Sequence, residues 1–469
     1  MRTGITSRRR DRDSETGSQP GLGPVGGPGR MRRLAAGLFL PLALSAASAA
    51  VPLEEKPVPV PLTIEEAVRT VLEHNPSLQE AEHAVAVFEA RVEEQKSALW
   101  PQVFGDLNYA RLGPIQELSF PGFGTFQLNP ANNYDAHASL HQLLFDGNQT
   151  REAVRLARSQ VASASDRWEV LRHELEFQTA RLFETLIFLR DSIRVQSDHI
   201  QTLEDHLGAA RKKVEAGTAT ELEVLNTQVR IVSARNTLID LRNASDKQVL
   251  LLRQLMGLEE GGPLELQGSF SYRPAGGEPE ALVRSAWERR PEMKAVRDMI
   301  RTADIQVRLA GLANWPTLSL TILGGLKNGY VPNLNTLKLN YVAAVQATVP
   351  VFNGFRTRSL KAEAEANRRT LDDRDREVKD LIRREVLQAL ADLDASREKL
   401  QSVEVNVERA RTALDYARLS YEAGTITNLD LLDTEDAYSE AELVRLQALY
   451  QFVVSRLALQ RAVGNRFSD

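Results

Sequence analysis

The sequence predicts a mainly α, internally duplicated fold: very long coiled-coil helices plus a small membrane β part of four strands per chain. Three observations predict it. Residues 148–207, 218–256, 355–423 and 425–463 contain neither Gly nor Pro. Punctuating residues recur at a fixed offset, and two regions change from a helical hydrophobic period to a period of two. Composition sets the frame: 469 residues, 26% charged and 42% hydrophobic, with no Cys and a net charge of -5. That is too charged for a polytopic helical membrane protein and too apolar for a disordered chain. Without Cys there are no disulfides, thiolate metal sites, Cys nucleophiles or Cys-linked lipid anchors.

Residues 1–30, rich in Arg, Gly and Pro, are expected to be an upstream extension, disordered or from a start codon placed too early. Residues 31–49 read as a signal peptide: Met31-Arg32-Arg33 is basic, Leu34 to Leu44 is apolar, and Ala47-Ser48-Ala49 supplies small residues for cleavage. The apolar run is shorter than the ~20 residues a helical span needs. Beyond the leader the chain is more acidic still, because residues up to Arg33 hold 8 basic and 3 acidic residues. An acidic exported chain is a poor nucleic-acid partner.

After a linker at 50–61 come a first repeat, 62–257, a second linker, 258–277, a second repeat, 278–464, and a tail, 465–469. Pro76 to Pro101 spans 25 residues, as does Pro291 to Pro316; Gly147 to Gly217 spans 70, as does Gly354 to Gly424. Phe145-Asp146-Gly147 answers Phe352-Asn353-Gly354, and Gly257 answers Gly464 at the shared offset of 207. Between Pro101 and Gly147 the first copy carries eight more residues than the second does between Pro316 and Gly354.

Each repeat opens its β part after a proline, at 101–146 and 316–353. Tyr134, Ala136, Ala138 and Leu140 alternate with Asp135, His137, Ser139 and His141. Leu318, Leu320 and Ile322 alternate with Thr317, Ser319 and Thr321; Tyr341, Ala343, Val345 and Ala347 with Asn340, Ala344, Gln346 and Thr348. Strands apolar outside and polar inside, ~10 residues each, are the signature of a transmembrane barrel with a wet lumen. A soluble sandwich alternates in the same way; the signal peptide and the surface-like loops, Leu112 to Ala131 and Gly329 to Lys338, favour the barrel. Four strands cannot close one, so several chains must: two would give 8 strands and a nearly filled interior, three would give 12 and a passage.

The Gly- and Pro-free segments follow. At ~1.5 Å per residue the longest would extend about 100 Å. Leu186, Ile193, Ile200, Leu207 and Val214 recur at sevens, as do Leu393, Leu400, Val407, Leu414 and Tyr421, which predicts left-handed coiled coils. Above them, Val154, Val161, Trp168, Leu175 and Leu182 form a second seam that the other copy replaces with Lys361, Arg368 and Asp375. Gly217 and Gly424 are expected at reversals that need φ > 0, with Thr218/Thr220 and Thr425/Thr427 accepting from the amides that open the returning helices. Each repeat thus becomes a helical hairpin with a tip near 217 or 424.

In this order, Leu62-Thr63-Ile64-Glu65-Glu66-Ala67, Asn75-Pro76-Ser77-Leu78, Ala98-Leu99-Trp100-Pro101, the two Phe-x-Gly motifs and Tyr421-Glu422-Ala423-Gly424-Thr425-Ile426-Thr427-Asn428-Leu429-Asp430-Leu431-Leu432-Asp433 resemble the TolC-type outer-membrane efflux proteins of Gram-negative bacteria. The resemblance runs from Leu62 to about Gly464. It implies a passive homotrimeric exit duct in the outer membrane, a 12-stranded β-barrel continued by a periplasmic α-barrel. The duct would dock to a periplasmic adaptor (membrane fusion) protein and an inner-membrane RND or ABC-type pump, as part of a tripartite efflux or type I secretion system. It further implies an acidic gate ring at Asp430 and Asp433, an acid at Glu223 bonded to Tyr421, and adaptor docking at Ala216, Gly217, Thr218, Ala423, Gly424 and Thr425. The family can hold its gate with an Arg two residues after the tip glycine, where this chain has Ile426. Like-charge crowding in the ring is expected to raise some of its carboxyl pKa values.

Nothing in the sequence supports an enzyme, and no cofactor or metal is expected. Asp135, His137, Ser139 and His141 are expected in the barrel lumen, where an i,i+4 pair on a strand lies about 13 Å apart, too far to share one ion. His199 and His206 are expected to be solvated. The competing expectation is a periplasmic structural coiled-coil scaffold with a small β domain.

Overall fold

The computed structural model describes residues 62–122, 124–258, 264–270 and 275–466. The expected signal peptide, the upstream extension and the 50–61 linker lie outside the described residues. Each half begins with a helix pair to which the sequence patterns assigned no element: α1 (Ile64–His74) and α2 (Pro76–Ser97), then later α5 (Pro279–Arg289) and α6 (Pro291–Leu312). Thr63 starts α1 through a reciprocal capping box with Glu66. Asn75 ends α1 and caps α2, accepting from the amides of Ser77 and Leu78, with Pro76 at the first helical position.

The strands are β1 (Gln102–Arg111), β4 (Asn132–Phe145), β5 (Thr317–Lys327) and β6 (Lys338–Thr348), in one antiparallel sheet of order β1-β4-β5-β6. The expected loop from Leu112 to Ala131 contains structure of its own. β2 (Glu117–Phe120) and β3 (Gly124–Gln127) form a small hairpin, with Leu118 opposite Phe126 and Ser119 opposite Thr125. The eight additional residues of the first copy fall in this connection.

Next come α3 (Gln149–Glu215) with α4 (Glu221–Leu255), and α7 (Arg356–Glu422) with α8 (Asn428–Val463). The two long helices have 67 residues each, about 100 Å at the standard rise. α3 runs straight through Gly208, an exposed helical glycine that costs only about 1 kcal/mol. No described helix is long and apolar enough to cross a membrane.

Packing follows the seams. α2 lies on the first part of α3, where Val92 meets Val154 and Ala157. α4 lies on the last part, where Ile200 and Leu203 meet Ile231, Ala234 and Leu238. α1 wedges Val71 against Leu175, Leu186 and Leu252. In the second half Val283, Ala286 and Met293 join Val386, Leu393 and Phe452 in the largest core cluster. Each fully buried Val, Leu, Ile, Met or Phe among them contributes about 1.5–3 kcal/mol. Leu186 and its counterpart 207 positions on, Leu393, are both fully buried. The upper seam differs as its sequence does: Val154 and Leu175 are buried, whereas Lys361 is exposed and Arg368 turns to Asp304 on α6 and Asp372 on its own helix.

Candidate gate, tip and lumen sites

At the tips the long helices end the same way. Gly217 and Gly424 both have φ 73, and the adjoining Ala216, Thr218, Ala423 and Thr425 are exposed. A Cβ at either glycine would meet nothing within 4 Å, so the left-handed backbone, not crowding, calls for glycine. The Thr218 and Thr425 hydroxyls donate back to the carbonyls of Lys213 and Ser420, 3.1 and 2.9 Å away. They therefore close the outgoing helices, contrary to the sequence expectation that they would open the returning ones. Thr220 makes no capping bond either. Thr427 alone does so, in a capping box with Asp430.

That box engages one of the two candidate ring acids. The Asp430 carboxylate accepts from the Thr427 amide (2.9 Å) and hydroxyl (2.6 Å), and these bonds hold it below the usual carboxylate range. Within one chain the direction is thus opposite to the rise expected from crowding. Asp433 pairs with Arg230 of α4, whose other nitrogen binds Asp436. Sequence inspection missed Arg230 and Asp436 because the pairing joins positions over 200 residues apart in the chain. With Ile426 in place of the family's gate arginine, Arg230 supplies a cation that ties α4 to α8.

Tyr421 and Glu223 come together as the resemblance implied, the hydroxyl donating to the carboxylate at 3.3 Å. Burial, and then the Glu223 charge, push the Tyr421 hydroxyl up to about 12. The Lys213 ammonium sits 3.8 Å from the Tyr421 ring centre, a cation–π contact, and the His206 ring packs 5.4 Å away. His206 also bonds Asn428, and His199 bonds Asp436 at 3.1 Å. Neither histidine is a solvated helix-face residue. Both are half-buried between helices, and burial pushes His199 below the ordinary histidine range. Two polar clusters therefore lie just above the tips: Arg230, Asp433, Asp436 and His199 join α3, α4 and α8, and Tyr421, Glu223, His206 and Asn428 join α3, α4, α7 and α8.

At the other end, register sorts the sheet into two faces. Leu107, Ala136, Leu326 and Leu339 form one cross-strand row; Val103, Leu140, Ile322 and Ala343 form another. On this face Leu107 is 87%, Leu339 81% and Tyr341 82% exposed. The opposite face carries Asp106, Asp135, His137, Ser139, His141, Thr321, Lys327 and Lys338. There Lys327 pairs with Asp135 at 3.1 Å, His137 lies 3.0 Å from Asp135 and 3.5 Å from Asp106, and the Ser139 hydroxyl is 3.4 Å from Asp106. Gly325 permits this approach: a Cβ there would lie 2.1 Å from the Ala136 carbonyl oxygen and 2.5 Å from the His137 Cα. Among the described residues no group of three or more His, Asp or Glu could hold a metal ion.

The family profile of outer membrane efflux proteins matches residues 67–258 and 282–465, following the duplication. The chain belongs to the outer membrane efflux protein family. It is an outer-membrane exit duct that extends into the periplasm, a passive channel component and not an enzyme, which decides against the scaffold reading. The outer membrane efflux protein BepC of Brucella suis is 24% identical over 416 residues, covering 87% of this chain and 86% of the relative. The alkaline protease secretion protein AprF of Pseudomonas aeruginosa is 26% identical over 344 residues, covering 71% and 70%. The crystal structure of VceC from Vibrio cholerae shares the fold, with a TM-score of 0.69 at 18% identity over 86% of this chain and 96% of that one.

Proposed function

We propose that three copies of this chain assemble into a 12-stranded β-barrel continued by an α-barrel, the passive outer segment of a tripartite efflux or secretion system. The observation that carries it is the four-stranded sheet, apolar on one exposed face and, among the described residues, unpaired at both edges, β1 and β6. Edge groups left bare in lipid each cost several kcal/mol, so another strand must cover them. An even, antiparallel set lets β6 of one copy pair with β1 of the next without reversing direction. The helices support the same arrangement. Leu222, Leu225, Val229, Val232 and Ile239 on α4 follow heptad spacing and all are exposed, a seam that one chain leaves without a partner.

In this assembly the tips around Ala216, Gly217, Thr218, Ala423, Gly424 and Thr425 receive a periplasmic adaptor, whose helices can approach closely over small residues. An RND or ABC-type pump in the inner membrane supplies energy and selects the cargo. Asp430 and Asp433 of three copies ring the periplasmic opening and attract cations. The Arg230 pairs with Asp433 and Asp436 and the Tyr421–Glu223 bond hold the helix pairs in register there. Purification in mild detergent followed by native mass measurement and planar-bilayer recording tests the proposal: a species of three chains that conducts ions is expected. A soluble monomer that passes no current refutes it.

A further inference from the structure

We infer that the β2–β3 hairpin of one copy packs its apolar face onto the β5–β6 connection of the next copy, fastening the ring at the end of the sheet away from the helices. The inference rests on the three-chain reading above. Register sorts the hairpin into two faces. Leu118 stands opposite Phe126, Phe120 follows on the same side, and the Phe120 and Phe126 ring centres lie 6.3 Å apart. The other face is polar: the Ser119 and Thr125 hydroxyls are 3.3 Å apart, and the Gln127 amide donates to the Glu117 carboxylate at 3.3 Å. Leu118, Phe120 and Phe126 are all exposed, and among the described residues none joins a core cluster. A two-stranded hairpin with nothing against it is marginal in water at best, and contiguous large apolar groups on its surface mark a contact.

Strand order says what reaches that face. The hairpin joins β1 to β4, and residues 328–337 join β5 to β6 at the same end, because Arg111 pairs with Asn132 and Lys327 with Lys338. The chain's own 328–337 segment stands on the β4 side, where the Tyr134 amide donates to the Asn328 side chain at 2.7 Å and Asn328 donates to the Asn132 carbonyl at 2.6 Å. It leaves the apolar face of the hairpin bare. On the β1 side, a ring that pairs β6 of one copy with β1 of the next brings in the neighbouring copy's 328–337 segment. That segment is uncovered too: Tyr330 and Leu337 are exposed, and Val331 is 79% exposed. Two bare apolar surfaces thus flank each joint between copies at one level. Residues 328–337 carry no charged side chain, and residues 112–131 carry only Glu117. Neither segment therefore offers a cation to the phosphates of a lipid surface, and apolar contact between copies is what both can make.

The chain has no Cys, so introduced pairs report alone. Phe126→Cys with Val331→Cys, and separately Leu118→Cys with Leu337→Cys, are oxidised in detergent-purified protein and run on a denaturing, non-reducing gel. A disulfide needs Cα atoms within about 7 Å, so at least one pair should shift the band from one chain to two and three. Ser119→Cys with Val331→Cys, from the polar face, should stay at one chain, as should Phe126→Cys by itself. A second measurement needs no cysteine: Leu118→Ser with Phe126→Ser should lower the temperature at which the three-chain species comes apart, and adding Val331→Ser should lower it little further, as for residues in contact. One-chain bands from both pairs in protein whose native mass is three chains overturn the inference and leave the three-chain reading standing. Equal cross-linking from Ser119→Cys, multimers from Phe126→Cys alone, or an unchanged dissociation temperature overturn it as well. A one-chain native mass for the wild type overturns the three-chain reading and the inference with it.

Discussion

The duplicated fold carries its own control for a steric prediction. Gly147 and Gly354 occupy matching turns at the sheet-to-helix junctions, with φ 64 and φ 63. Replacing either by Ala places a Cβ on a left-handed backbone, which costs about 1–2 kcal/mol in both copies. The surroundings differ. At Gly354 an added Cβ meets nothing within 4 Å, whereas at Gly147 it lands 2.5 Å from the Cβ of Trp315. That atom is fixed to the backbone and cannot swing aside, so the α6–β5 junction has to move, at a further ~1–3 kcal/mol of overpacking. Gly147→Ala should therefore lose about twice the stability of Gly354→Ala. The temperature at which folded protein in detergent loses its heat-resistant gel mobility, read for both variants at one heating rate, measures the gap. Equal losses, or a larger loss at Gly354, would refute the steric reasoning.

Removing two acids should act on conduction: Asp430→Ala with Asp433→Ala is expected to weaken divalent-cation block in bilayer recordings, and unchanged block removes their ring role. Asn75→Ala deletes the α2 cap and leaves the Leu255 carbonyl without the 2.9 Å bond it now accepts, for a loss of about 2–3 kcal/mol in denaturant titration; a loss below about 0.5 kcal/mol contradicts the capping account. Burial pushes the Glu184 carboxyl up to about 7 against the attraction of Arg456. The folded state therefore keeps a proton that the unfolded chain gives up near the ordinary carboxyl value of 4.5, and stability falls as pH rises from about 4.5 to 7. Glu184→Gln should raise the melting temperature at pH 8 and leave it nearly unchanged at pH 4; the same gain at both pH values would contradict the titration.

The long helices, the tip glycines and the four membrane strands were legible because each is written in local periodicity or in a residue with a unique backbone need. The duplication sharpened every one by repeating it. The short helix pairs were marked equally well, by Thr63 with Glu66 and by Asn75-Pro76, yet the first pair entered only as part of the family resemblance and the second as a repeat anchor, neither as helix punctuation. The β2–β3 hairpin hid behind its Pro121-Gly122 turn. Its signal was the alternation of Leu118 and Phe120 with Glu117 and Ser119, four residues per strand and too short to stand out. The Tyr421–Glu223 bond came only through the family resemblance. Arg230 with Asp433 and Asp436, and His206 with Asn428, depend on which faces of α3, α4 and α8 meet, and no one-dimensional pattern reports that.

The unpaired rims of the sheet also impose an order on how this protein reaches its place of work. In the proposed three-chain assembly, a solitary chain that slid into the bilayer would strand the outward N–H and C=O groups of β1 and β6 in hydrocarbon, so siblings must be found first or at the same moment. Biogenesis becomes a collective event, steeply dependent on the supply of chains, and until it is complete each waiting subunit offers the same rims to any stray strand it meets.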